Sequence, residues 1–209
     1  TSQIAGLNTA NIAALTTAQL AVLSSSQTAA LTTASFASLS TDDIQKLTST
    51  QIQALTSAQL AGLDTVQLGA LSTTQIAALK TSQVAALSTD TIDKLTTAQF
   101  QAIETADIQA LSTAQLASLS TNNLAALTTA QIVALKTSQI AGLSTTTLDA
   151  LSSTQLQAIE STDIQALTTV QLTSLNSVDI ANLTTSQIVA LKTSQIAGLN
   201  TANIAALTT

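Results

Sequence analysis

The chain returns to the same residue types every eight positions and never loses step. Leu stands at 7, 15, 23 and every eighth residue to 207, with Ile103 and Ile159 the only replacements. A second apolar series runs from Ile4 to Ile204 on the same period, broken by Thr28 and varied by Phe36, Phe100 and Val84. A third, from Thr1 to Thr209, is Ser or Thr in all 27 instances. The 209 residues divide into 26 octads plus one residue, with consensus Thr-Ala/Ser-Gln-Ile-Ala-Ala-Leu-Thr/Ser, here octad positions one to eight. A fixed short period means that each unit is one small structural element that must stack on its neighbours. No octad is lengthened or shortened, so no loop is set aside for a site. The expectation is one uninterrupted array over 1–209, a segment of a longer one.

Longer echoes run through the array. Residues 136–167 resemble 80–111, seven octads earlier, with Lys80, Lys136 and Lys192 marking the interval. Residues 40–55 resemble 88–103, six octads apart, and the first 17 residues recur as the last 17. Seven and six share no divisor, so copied segments kept step with no two- or three-octad coil. Octads are therefore read as structurally near-equivalent, and the identical ends imply a superrepeat continuing past both termini.

Ala, Leu and Gln favour helix, while a Ser/Thr pair where octads meet disfavours it. The two large apolar residues of an octad lie three apart, on one helical face. In a strand, positions four and seven would point to opposite faces. A continuous helix fails too: at ~100° per residue the apolar stripe would circle the rod, about 80° per octad. The pattern has to break once per octad. The expected fold is all-α, a solenoid of very short helices, one per octad, with a β-solenoid as the alternative. Helices this short are unstable alone, so each persists only by stacking.

Two phases fit the break. In one, the unvarying hydroxyl of position one is the N-cap and accepts a hydrogen bond from a first-turn amide. In the other, position eight is the N-cap and Gln completes a capping box. The first is preferred because position one never departs from Ser or Thr. It places Asp42, Asp43, Asp90, Asp107, Asp163 and Asp179 near the positive helix end, and Lys80, Lys136 and Lys192 near the negative one. Glu104 and Glu160, also at position eight, run against that trend.

Composition narrows the chemistry. Cys and His are absent, which removes thiolate and imidazole metal sites and most nucleophile–base pairs. Five Lys, no Arg and a net charge of −6 leave no footprint for nucleic acid. Thr, Ser or Gln interrupts every apolar run, so no stretch reaches the ~18 residues of a membrane helix. No catalytic residue and no cofactor is expected. The acidic pairs Glu104 with Asp107 and Glu160 with Asp163 are weak Ca²⁺ candidates, short of the six to eight oxygens such a site wants, and equally readable as solvated acids at helix starts.

The Gln series at position three, 16 of 26 residues, is either an amide ladder between coils or a solvated stripe. Phe36 and Phe100 belong to the core. Gly6, Gly62, Gly142 and Gly198 share position six with Ala, a sign of close packing. The Thr series could order water or ice or carry sugars, though helix capping already accounts for it.

The octad TTAQIVAL and its relatives resemble the Thr-Ala-Gln-Ile-Ala-Ala-Leu arrays within very large bacterial surface, secreted or filament-forming proteins. That resemblance implies an extracellular structural or adhesive role without cofactor or catalytic residues. The expected function is the shaft of a filament or surface fibre, built by self-association of repeats. A surface-, ice- or glycan-binding module using the Thr ladder is the alternative.

Overall fold

The computed structural model describes residue 4 and residues 6–207. Among them are twenty-five helices of four to six residues and no strand. There is one helix per octad, from Thr9–Ala13 to Thr201–Ala206. The all-α solenoid is the observed architecture, and the β-solenoid is not. Residues 1–110 and 111–209 form two compact units, and each has the same internal construction.

The helix begins one residue earlier than preferred above. In Thr41–Lys46 the N-cap is Ser40, extended at φ −72 and ψ 165, and its hydroxyl accepts from Asp43 N. In Thr97–Gln101 the N-cap is Thr96, and Gln99 reaches back to the Thr96 amide. Position eight is thus the N-cap, position one the first helical residue, and position three the reciprocal partner of a capping box. The reason lies in position three: only this phase puts its side chain within reach of the N-cap amide. Glu104 and Glu160 therefore sit at the positive helix end, in keeping with the helix dipole. Lys80, Lys136 and Lys192 sit there too, against it.

The helix ends as briefly as it starts. Ile44 N donates to Ser40 O at 3.0 Å, and Leu47 N to Ile44 O at 3.2 Å, a tightened last turn. Leu47 is then extended at φ −61 and ψ 132. Two extended residues, positions seven and eight, reverse the chain into the next helix. Among the described residues none has positive φ, so the corner needs no glycine.

Positions four and seven form the core. Phe36, Ile44 and Phe100 are fully buried, and Leu47 is buried beside them. Each such side chain contributes about 1.5–3 kcal/mol through burial, available only because octads stack. Each helix packs on the third one along, as Ser25–Ala29 does on Ser49–Ala54 and Thr129–Ala134 on Ser153–Ala158. Position-three side chains reach four octads back, as Gln51 does to Leu20 and Leu23. One turn of coil therefore takes between three and four octads.

Candidate functional site

The element that the sequence builds most consistently is the seam between coils, and position three is its centre. Gln51, Gln59, Gln75, Gln83 and Gln99 are almost wholly buried. Gln75 Oε1 accepts from Ser72 N at 2.8 Å, closing the capping box. Its Nε2 donates to Ile44 O at 2.7 Å and Leu47 O at 2.9 Å, four octads earlier. Gln83 does the same to Ile52 O and Leu55 O, and Gln187 to Leu156 O and Ile159 O. One amide satisfies a helix start and the position-seven carbonyl four octads back, groups that would otherwise lack partners, and adds a second bond to the position-four carbonyl, which already accepts from the position-seven amide. Of the two roles left open for the Gln series, the ladder is the one observed.

Position one meets the coil differently. A Cβ added at Gly62 would lie 2.7 Å from Thr33 Cγ2, and one at Gly198 2.6 Å from Thr169 Cγ2. The Thr methyl packs on position six three octads later, which accounts for Ala, Gly and Ser dominating there. The hydroxyl is left over. Among the described residues, Ser153 alone at position one has a side-chain partner, Asn182 Nδ2 at 3.1 Å.

Five octads start with a residue whose side chain makes no cap: Lys80, Glu104, Lys136, Glu160 and Lys192. In each the first turn tightens, so that the position-three amide bonds the backbone carbonyl of the N-cap instead. Gln83 N to Lys80 O is 2.8 Å, Asp107 N to Glu104 O 3.0 Å and Asp163 N to Glu160 O 2.9 Å. Lys at an N-cap is tolerated for this reason.

The weak Ca²⁺ candidates divide by exposure. Asp107 and Asp163 are 3% and 4% exposed, whereas Glu104 and Glu160 lie at the surface. No group of three or more His, Cys, Asp or Glu side chains gathers among the described residues. Asp179 is buried, and desolvation holds its carboxyl above the usual value of 3.8, with the Asp149 charge adding to the shift and the hydrogen bond at Asn176 opposing it. Asp90 pairs with Lys94 at 2.6 Å on the surface. No helix among the described residues is long and apolar enough to cross a membrane.

The stretch Ala126-Leu127-Thr128-Thr129-Ala130-Gln131 spans the last core residue of one octad, the N-cap and the capping-box glutamine of the next. The family model of the ALTTAQ repeat matches residues 1–33, 29–57, 36–73, 53–81, 60–97, 100–137, 156–193 and 175–209. The chain belongs to the ALTTAQ repeat family. The six letters of that description are octad positions six to three, the segment that carries the capping box and the seam. No curated protein matches the chain. Sequence reasoning placed the ALTTAQ helix and core but missed its start. The start observed is that of the second phase weighed in the sequence, marked by Ser/Thr-x-x-Gln at positions eight and three, the capping-box pattern.

Proposed function

We propose that this ALTTAQ array is the structural shaft of an extracellular filament or surface fibre, with further copies of itself as partner and no catalytic activity. One observation carries this reading: coil after coil is clamped to the one before it by the same position-three amide, as Gln75 is to Ile44 O and Leu47 O and Gln187 to Leu156 O and Ile159 O, so further octads add by the same contacts. Such repeated head-to-tail contacts favour open-ended growth over closed rings. Five Lys and no Arg give trypsin few sites, a property suited to life outside a cell.

Light scattering and electron microscopy of the purified chain test the reading. Concentration-dependent, elongated assemblies are the expected result. Compact monomers at every concentration would overturn it.

A second reading, a binding module for ice, glycan or a surface, draws on the position-one hydroxyls left without protein partners. It requires thermal hysteresis or ligand binding that disappears when Thr is replaced by Val along exposed position-one residues such as Thr73, Thr81 and Thr97.

A further inference from the structure

We propose that the octads beginning at Glu104 and Glu160 each hold a hard divalent cation, of the Ca²⁺ class, between two successive coils. In octads with Gln at position three, its amide donates to carbonyls four octads back, in most cases those of positions four and seven. Gln99 does so to Leu68 O and Leu71 O, both at 2.7 Å. By the same register Asp107 faces Ile76 O and Leu79 O, and Asp163 faces Ile132 O and Leu135 O. A carboxylate has no proton to give them. Leu79 O and Leu135 O accept no hydrogen bond, and neither the Asp107 nor the Asp163 side chain has a partner, although both residues are more than nine-tenths buried.

The N-cap decides the difference from other acids in this slot. Ser40 Oγ donates to Asp43 Oδ2 at 2.6 Å, and Asn176 Nδ2 to Asp179 Oδ2 at 2.6 Å. These contacts show that side chains at positions eight and three meet. Before Asp107 and Asp163 that residue is Glu, which adds a second acceptor instead of a donor. Both Glu N-caps of the array are followed by Asp at position three, in the near-identical stretches 101–111 and 157–167.

The result at each octad is two carboxylates without a donor beside one unpaired carbonyl, Leu79 O or Leu135 O, and a second, Ile76 O or Ile132 O, that accepts only from the backbone. Ca²⁺ takes six to eight oxygen ligands from such groups and from water. No side-chain oxygen there is sealed from solvent without a partner, and an open groove lined by Val133, Gln157, Glu160 and Thr162 runs along the Glu160 side of the second site.

The test uses the whole chain, with calorimetric titration of CaCl₂ and thermal unfolding in CaCl₂ against EDTA at matched ionic strength. Asp107→Gln with Asp163→Gln installs the residue that already serves this slot elsewhere, so the variant folds. The expected result is saturable uptake at both sites and a higher Tm in calcium for the parent chain. The double variant should lose the uptake and melt at one temperature in both buffers. No heat and no Tm shift for the parent, or undiminished uptake by the double variant, would overturn the proposal.

Discussion

Gln51 Nε2 lies 2.8 Å from the carbonyl oxygen of Leu20, thirty-one residues earlier in the chain. Its Oε1 meanwhile accepts from Thr48 N at 2.9 Å. One side chain thus couples a local event, the start of a helix, to a long-range one, the stacking of coils. This coupling makes such short helices persist.

The clamp can be removed without changing volume much. Gln83→Met leaves Leu55 O and Lys80 N without the amide that satisfies them and takes one of two bonds from Ile52 O. A loss of about 2–4 kcal/mol is expected, since each buried group left unpaired costs about 1–3 kcal/mol. Urea denaturation followed by circular dichroism measures it. A loss below 1 kcal/mol would mean that water takes over the amide's role.

The helix phase predicts an asymmetry between adjacent hydroxyls. Thr96→Ala removes an N-cap and should cost about 1 kcal/mol, whereas Thr97→Val, one residue on, should change stability by about 0.5 kcal/mol or less. Lys80→Ser adds a missing cap and should stabilise by a similar ~1 kcal/mol. Thermal melts of the three variants rank them, and the reverse order for residues 96 and 97 would restore the other phase.

Gly69 and Gly62 differ in what surrounds them. An added Cβ at Gly69 meets nothing within 4 Å, so Gly69→Ala should stabilise by about 0.5–1 kcal/mol through lost chain entropy in the unfolded state. At Gly62 the Thr33 methyl has to shift first, and the gain should shrink or reverse. The difference between their melting temperatures is the readout.

Phe100 is fully buried at position four. Phe100→Ala should cost about 3–5 kcal/mol, while Phe100→Leu, the residue of many equivalent positions, should cost much less. Equilibrium unfolding of the pair separates cavity formation from loss of the ring.

Asp179 makes stability depend on pH. Its folded pKa is raised by burial, so the folded state binds the proton more tightly than the unfolded chain. Its favourable contribution is complete below the unfolded value of 3.8 and is lost as pH rises through the folded one. Asp179→Asn should flatten that part of the Tm-against-pH curve and raise Tm at neutral pH. An unchanged curve would assign the pH dependence to other carboxylates.

The eight-residue period, the Ile/Leu spacing of three and the helix-disfavouring pair between octads determined a stack of short helices, because each is a local constraint on backbone and burial. Phe36 and Phe100 in the core and the small residues at position six followed from the same pattern. The helix phase did not, since adjacent hydroxyls at positions eight and one can both cap. Tertiary structure decided it, along with the clamp by Gln51 and its equivalents and the between-three-and-four-octad turn. A glutamine that must reach its own N-cap amide and two carbonyls about thirty residues back fits only one start, and that distance exists only once the coil has closed.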